Sequence, residues 1–469
     1  MLYFDPTELA RWCDGRWSGS VPDRVTGFGN DSRLIQPGQM YVAIRGERLD
    51  GHTFVAEARK RSASAALVDE AYARQVSGDW PLLVVPDTRR ALIDLARGHR
   101  ARCRGAFVGV TGSVGKTSVK EMAADVLAHL GRVTRTKGNW NNEIGLPLSL
   151  LRMGRDDRYG VFEVGMNHPG ELAPLCALLA PQWALFTPIG PVHLEYFDSV
   201  RAIAEEKAAL LEALPETGTA ILSVDDPWYE TLLNHVRSRV IRVSLQDPEA
   251  DYYGEWRGSG SNALQVHERK TGEHRVYRMP LPGRYVAENA LRAIALGREE
   301  ELNPDIIAHA LLQYRPLSMR WNRVAIAGIT FINDAYNANP MGMRAAADAF
   351  QETEVEGRRW LVLAGMFELG EAAEEEHEAL GHYLAQFAWA GVVTVGAMGR
   401  WIAQGAIDAG LTEVCRLEIC EDAESAAHYL KKHIEPGDAV LVKASRGEHL
   451  EHVLTEFENL MAAENGVML

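Results

Sequence analysis

The sequence predicts an α/β protein of three domains, built on largely parallel sheets covered by helices. Three observations carry this. From about residue 106 onward short apolar runs alternate with helical patterns, the signature of parallel strands joined by crossover helices. A Gly-rich stretch ending in Lys-Thr follows one such run and opens a helix. Two polar breaks, at residues 98–105 and 313–320, divide the 469 residues, and at about 150 residues per domain three domains are expected.

The strands are read from buried apolar runs at Ala106–Val110, Gly160–Val164, Trp183–Phe186, Ala220–Val224, Trp360–Ala364, Gly391–Val395 and Ala439–Val442. Between Thr117 and Leu130 the apolar residues Val119, Met122, Ala123, Val126, Leu127 and Leu130 fall on one helix face. The stretch Asp247–Gly283 is polar, with Gly and Tyr, and reads as hairpins added to the central region. The first break, Gly98 to Gly105, is a basic link ahead of a new strand; the second, Gln313 to Arg320, is a connector containing Pro316. The domains expected are 1–103, 104–314 and 315–469. No repeat and no low-complexity tract interrupts them.

Hydrophobic residues make up 46% and charged residues 24%, enough to bury several cores and to exclude wholesale disorder. With 49 Lys and Arg against 64 Asp and Glu the net charge is −15, which disfavours nucleic acid and anionic lipid as partners. An anionic ligand must then be held by a local pocket against the global field. Cys13, Cys103, Cys176, Cys415 and Cys420 form no CxxC pair, and an odd, scattered set fits a reducing cytoplasm. Met1-Leu2-Tyr3-Phe4-Asp5-Pro6 shows no signal-peptide pattern. No apolar run is long enough for a membrane span.

The most informative segment is Gly109-Val110-Thr111-Gly112-Ser113-Val114-Gly115-Lys116-Thr117. Strand before and helix after supply what a phosphate-binding loop needs: backbone N–H groups and a helix N-terminus around phosphate oxygens. Lys116 places a charge near the β- and γ-phosphates, and Thr117 offers a hydroxyl to Mg²⁺. The spacing is TGxxGKT, with Val110 where the strict GxxxxGK[ST] pattern has Gly. ATP or GTP is the expected ligand, bound by Gly112 to Ser118.

A phosphate loop alone does not distinguish motor, switch, kinase or ligase. Glu163 ends an apolar strand, where a carboxylate projects into the ligand crevice of an open α/β sheet and can hold a hard cation; it reads also as a solvated strand end. His193, past another strand, reads as a ligand in the same crevice or as a structural histidine. Lys207, in Glu205-Glu206-Lys207, reads by itself as an exposed helix lysine.

Several separated motifs give the chain a resemblance over its whole length. They are Asn30-Asp31-Ser32-Arg33, Pro37-Gly38-Gln39-Met40-Tyr41-Val42-Ala43, Gly46-Glu47-Arg48-Leu49-Asp50-Gly51-His52, the TGxxGKT loop, and Gly138-Asn139-Trp140-Asn141-Asn142-Glu143-Ile144-Gly145. The third region adds Asp334-Ala335-Tyr336-Asn337-Ala338-Asn339-Pro340 and Leu441-Val442-Lys443-Ala444-Ser445-Arg446. Together they resemble the ATP-dependent Mur ligases of peptidoglycan synthesis, which make amide bonds through an acyl phosphate. The Tyr336–Pro340 element resembles the branch that joins D-alanyl-D-alanine to UDP-N-acetylmuramoyl-tripeptide.

The resemblance implies a central P-loop ATPase-like sheet flanked by an N-terminal UDP-sugar-binding domain and a C-terminal Rossmann-like domain, which takes the dipeptide and part of ATP. It implies Thr117, Glu163 and His193 as ligands of Mg²⁺, with two sites, and Lys207 as a carbamate that supplies further oxygens. Lys116, Glu163, His193 and Lys207 become the catalytic set. Asn289, Arg320 and Asp334 match contacts to adenine, phosphate and ribose. Ser32 and Arg33 match the UDP region, and Asn142, Tyr336, Asn337, Asn339 and Ser445 are the further substrate-binding residues. The chain is expected to act as a cytoplasmic monomer, without nucleic acid or membrane insertion. One departure falls after Leu281-Pro282-Gly283-Arg284, where the family commonly has His-Asn and this chain has Tyr285-Val286; the adenine pocket is expected to be built differently there. The tripeptide-forming, folylpolyglutamate and cyanophycin-type ligases are the alternatives. The N-terminal motifs, which look like a UDP-sugar domain, weigh against the latter two, and a switch without turnover would make Glu163, His193 and Lys207 a coincidence.

Overall fold

A computed structural model describes residues 2–46, 48–258 and 260–464. Glu47 of the N-terminal motif and Met1 of the N-terminal segment lie outside the described residues, as do residues 465–469 of the third domain. Three sheets follow one another along the chain, of five, nine and six strands. The first runs in the order Arg16–Ser18, Leu82–Val85, Ala65–Asp69, Met40–Val42, Phe28–Gly29 and is parallel apart from its first pair.

The second sheet has a parallel body, Arg239–Ser244, Thr219–Ser223, Trp183–Phe186, Ala106–Thr111, Tyr159–Glu163 and Val133–Arg135 in spatial order. Three further strands, Tyr252–Arg257, Ala263–Glu268 and Glu273–Arg278, extend it, the last two pairings antiparallel. These are the hairpins expected between Asp247 and Gly283. The strand Ala106–Thr111 sits well inside the sheet, and its alternation is visible in its packing. Phe107 joins the core on one face, Val108 and Val110 the core on the other.

The third sheet, Asn322–Ile326, Ile329–Asn333, Ala439–Lys443, Arg359–Leu363, Gly391–Val395 and Arg416–Cys420, is parallel beyond its first antiparallel pair. Leu361 and Leu363 face one core, Trp360 and Val362 the other. Burial on both faces is why such strands read as unbroken apolar runs.

Three readings are corrected. The break at 98–105 begins inside a helix: Thr88–Arg100 is one element, capped by Asp87, and only residues 101–105 form the link. Gly98 is needed there because a Cβ would lie 2.3 Å from the Trp12 ring. The helix after the phosphate loop is Lys116–Leu127, so Leu130 lies beyond its end. Lys207, read in isolation as exposed, is 0% exposed. It ends the helix Val200–Lys207 facing inward, while Glu205 pairs with Arg201 and Glu206 accepts from the N–H groups of Gly170 and Leu172. All five cysteines are free. No helix of the described residues is long and apolar enough to cross a membrane.

Candidate active site

The C-terminal ends of the central strands open into a cavity of about 960 Å³ lined by residues from all three regions of the chain. Ser113, Lys116, Glu163 and His193 come from the central sheet, Arg90 and Arg97 from the first region, and Arg320, Asp334 and Tyr336 from the third. Gly112 has φ +142°, and a Cβ there would fall 2.0 Å from the Thr187 hydroxyl. Gly115 has φ +89°, and a Cβ would fall 2.5 Å from Asn289 Oδ1. Only glycine lets the loop turn this tightly and bring Asn289 against it. The helix Lys116–Leu127 starts at once, and its first N–H groups lack helical acceptors.

Lys116 bends back over the loop, its Nζ donating to the carbonyls of Gly112 (2.8 Å) and Ser113 (3.3 Å). Burial lowers its pKa, against the pull of the Glu163 carboxylate. Ser113 both donates to and accepts from the backbone of Gly190 at 3.1 Å, tying the loop to the segment that leads to His193. Val114 and Ser118 line the cavity beside it.

Glu163 is 2% exposed. Its Oε2 accepts from the Thr117 hydroxyl at 2.9 Å and its Oε1 from Asn141 Nδ2 at 2.8 Å. Its own N–H donates to Thr136 Oγ1 at 3.0 Å. Among the described residues it forms no ion pair, so a buried carboxylate faces a cavity without a cation on it. Lys207 lies behind this wall, its Nζ 3.2 Å from the Met166 sulfur. Burial, reinforced by Lys116, pushes its pKa well below the usual lysine range. Its Nζ has no carboxylate within ion-pair distance among the described residues.

His193 Nδ1 meets Glu368 Oε2 at 2.5 Å. That contact crosses from the central region to the third, and His193 in turn holds the Glu368 carboxyl below its usual range. Asp334 accepts from Lys443 Nζ at 2.6 Å and from the Trp321 N–H at 3.0 Å. Lys443 also donates to the Asn337 carbonyl at 3.1 Å. Arg320 lies over the Tyr336 ring, 4.1 Å from its centroid, and burial raises the Tyr336 pKa. Tyr285, at the departure from the family pattern, lines the same cavity and meets Trp321 edge-on at 6.2 Å. Burial raises its phenol well above the usual range, with Asp334 adding to it.

Several expected residues carry structural duties as well. Asn339 caps the helix Pro340–Glu352, its Oδ1 accepting from the Gly342 N–H at 2.8 Å. Asn142, two residues ahead of the N-cap Ile144, accepts from the Gly145 N–H at 2.9 Å where the helix Gly145–Leu150 begins. Ser445 is buried and accepts from the Phe367 N–H at 2.9 Å. Ser32 and Arg33 do not line this cavity; Ser32 is buried and Arg33 forks onto Asp31. Sequence reasoning left out Asn141, Lys443 and Glu368. The first two stand inside quoted motifs, whereas nothing local marks Glu368, which is 175 residues from its partner.

Residues 24–100, 110–297 and 319–446 match the Mur ligase family, catalytic domain, the Mur ligase middle domain, and the Mur ligase, glutamate ligase domain. A UDP-N-acetylmuramoyl-tripeptide–D-alanyl-D-alanine ligase from Bacillus subtilis (strain 168) is 32% identical, covering 92% of this chain and 93% of its own. One of the same name from Escherichia coli (strain K12) is 36% identical over 76% of this chain and 78% of its own. The crystal structure of MurF from Acinetobacter baumannii superposes with a TM-score of 0.86 at 27% identity, covering 97% of this chain and 99% of that one. MurF ligase from Thermotoga maritima, solved in complex with ADP, gives 0.78 at 27% identity over 93% and 98%. With three domains matched in order around one cavity, the chain belongs to the Mur ligase family.

Proposed function

We propose that this protein is the ATP-dependent ligase that joins D-alanyl-D-alanine to UDP-N-acetylmuramoyl-tripeptide in peptidoglycan precursor synthesis. The observation that carries the reading is the near full-length likeness to ligases of that name, with Tyr336, Asn337 and Asn339 lining the cavity that holds the phosphate loop. A carboxylate is a poor electrophile. One of its oxygens therefore attacks the γ-phosphorus of ATP, ADP leaves, and an acyl phosphate results. The dipeptide's amine then attacks the acyl carbon, the tetrahedral intermediate expels phosphate, and the amine proton is lost.

The chain's own part in this is position and charge. The loop from Gly112 to Ser118 cradles phosphates, and Lys116 exchanges its two carbonyl acceptors for phosphate oxygens. Asn289 against the loop supports an adenine contact, and Arg320 a phosphate contact. Asp334, oriented by Lys443, supports a ribose contact. Ser32 and Arg33 serve the UDP end, outside this cavity, and Asn142 and Ser445 shape the loops that take the substrates. The domain roles follow as 1–103 for the UDP-sugar, 104–314 for ATP and 315–469 for the dipeptide.

Mg²⁺ fits the donor set. An unpaired buried carboxylate is costly unless a cation meets it, and Glu163 with Thr117 offers oxygens of the kind Mg²⁺ prefers. Glu163, Thr117 and His193 would hold it, and a carbamate on Lys207 would supply a second ion with oxygens; the metal would supply neutralisation of phosphate charge. Formation of the carbamate joins the neutral amine to CO₂ and releases a proton. The fully buried Nζ, with its lowered pKa, favours that neutral amine. The protein is further proposed to act in the cytoplasm as a monomer.

Phosphate release with a panel of UDP-muramoyl peptides and amine acceptors tests the assignment. Release should require both UDP-N-acetylmuramoyl-tripeptide and D-alanyl-D-alanine. Efficient addition of a single diamino acid to the UDP-muramoyl dipeptide, with no use of the dipeptide acceptor, would move the chain to the tripeptide-forming branch.

A further inference from the structure

His193 and Glu368 belong to different domains, and they meet at positions of constrained backbone. Both have left-handed backbone conformations, φ +55° at His193 and φ +62° at Glu368. Such conformations are unfavourable for residues with a Cβ and persist where the surroundings impose them. The surroundings do so on the Glu368 side. The Met366 N–H donates to His377 Nε2 at 2.8 Å, and the Phe367 N–H donates to Ser445 Oγ at 2.9 Å. His377 is itself buried, its other ring nitrogen on the Ala373 carbonyl. The turn that presents Glu368 is thus anchored from within its own domain.

The two segments also touch backbone to backbone. The Glu195 N–H donates to the Glu368 carbonyl at 3.2 Å. Gly370, at φ +56°, comes so close that a Cβ would lie 3.1 Å from the Glu195 Cα. On the other side, the Tyr196 N–H donates to the His193 carbonyl at 2.9 Å and closes the turn that carries the ring. With Nδ1 on Glu368, the remaining ring nitrogen, Nε2, has no hydrogen-bond partner among the described residues.

We propose that Glu368 is a positioning residue: the C-terminal domain delivers its carboxylate to His193 of the central domain, and docking of the two domains thereby sets the ring's orientation and tautomer. A carboxylate on one ring nitrogen fixes which nitrogen is left bare, and partners of this kind change metal affinity or activity by about 10–100-fold when removed. Here the partner arrives from another domain, so a central domain that is not docked holds its histidine without that restraint. The inference rests on the proposed role of His193 in the ligase centre.

The test uses the full chain with ¹⁵N-labelled histidine, without metal, at mildly alkaline pH, the His193 signal being assigned with His193→Gln. The wild type should show Nδ1 protonated and Nε2 bare. In Glu368→Ala the pattern should move toward the tautomer mixture of free imidazole. In the same variant kcat for ligation should fall about 10–100-fold, with the KM for ATP and the melting temperature little changed. Glu368→Gln keeps an acceptor oxygen for Nδ1–H and should recover both the ring pattern and most of kcat.

An unchanged ring pattern in Glu368→Ala, or an unchanged kcat, overturns the proposal. So does a Glu368→Gln variant as impaired as Glu368→Ala. Wild-type protein that shows the ring pattern and its dependence on Glu368, but no phosphate release with both substrates, would overturn the ligase reading instead.

Discussion

The central domain meets its two neighbours in different ways. Against the N-terminal domain the core is continuous: Leu92 and Leu95 of the helix Thr88–Arg100 share one cluster with Leu148, Leu175 and Phe162. Arg100 reaches across to the carbonyls of Leu179 and Ala180, at 2.8 and 2.7 Å, and its guanidinium covers the Phe107 ring at 3.5 Å. His99 Nε2 meets the Met153 carbonyl at 2.8 Å. Against the C-terminal domain the described contacts are fewer and of mixed character, with Leu194, Leu281 and Tyr285 of the central domain packing on the C-terminal core. They include His193 to Glu368, Trp256 to Glu352, and the edge of Tyr285 on Trp321, with much of the cavity between the two domains. A close-packed core resists shear, whereas a smaller junction bordered by a cavity permits relative motion. The groups proposed to act on the substrates therefore gather along the junction that can move, with the other serving as a fixed base.

The largest effects are expected where chemistry is removed and both junctions stay intact. Lys116→Ala should lower kcat by at least about 10²–10³-fold, the scale of losing one aimed charge or donor, with thermal unfolding near that of the wild type. Near-normal turnover in a folded variant would remove the phosphate loop from the reaction. Lys207→Ala should be severely impaired and partly restored by short-chain carboxylic acids that fill the vacated space. Wild-type activity without added acid would reject the carbamate.

The same lysine sets a pH trend. Its pKa is lowered in the fold, so between that value and the ordinary 10.5 the unfolded chain binds more protons than the folded one. Over that window stability gained from this group rises with pH. Lys207→Met should flatten this component in CO₂-depleted buffer and raise the melting temperature at neutral pH, because an apolar side chain replaces an amine whose charged form burial disfavours. A variant less stable than the wild type at neutral pH would contradict the burial argument.

These contrasts were unequally legible in the sequence. The parallel strands, the phosphate loop and the added hairpins were written in local periodicity, since each depends on residues close in the chain. Glu163 could be placed at a strand end but not paired, because Thr117 and Asn141 reach it only through the fold. Lys207 was misread by itself, as Glu205-Glu206-Lys207 has the composition of a solvated face. Its inward direction comes from the packing of helix Val200–Lys207 against Met166. Glu368 gave no signal at all, because its partner lies on another domain and its backbone conformation is imposed by His377 and Ser445. The fixed base was equally hidden: the basic stretch around Arg100 looked like a linker, yet Arg100 closes the end of a neighbouring helix.

Arg100 therefore gives a prediction about stability. Arg100→Ala removes two hydrogen bonds to the carbonyls at the end of helix Leu172–Leu179 and the stacking on Phe107. Hydrogen bonds to a charged group contribute about 1.5–3 kcal/mol each in favourable settings. Arg100 is only partly buried and its bond to Ala180 lies at the surface, so the pair is discounted to a loss of about 2–4 kcal/mol in denaturant unfolding. The KM for ATP should hold, since Arg100 does not line the cavity. A change below about 0.5 kcal/mol, the ordinary range of surface substitutions, would show that this junction is no firmer than the other.

Trp256→Phe probes the second junction and should have the smallest effect. The Trp256 Nε1–H donates to Glu352 at 3.0 Å, linking the hairpin extension of the central sheet to the helix Pro340–Glu352. Phenylalanine keeps most of the ring and loses the donor, and Glu352 is only partly buried, so its carboxylate can turn to water. A net cost of about 0.5–1.5 kcal/mol follows, below that of Arg100→Ala. The more telling readout is shape. With one of its polar ties gone, the C-terminal domain should sample wider separations, seen as a larger radius of gyration by small-angle scattering in ligand-free protein. Saturation with an ATP analogue and UDP-substrate should bring variant and wild type to the same value, because ligands that bridge the cavity restore the docked arrangement. An unfolding cost equal to that of Arg100→Ala would erase the distinction between the junctions, and so would a radius that does not differ from wild type in the free state.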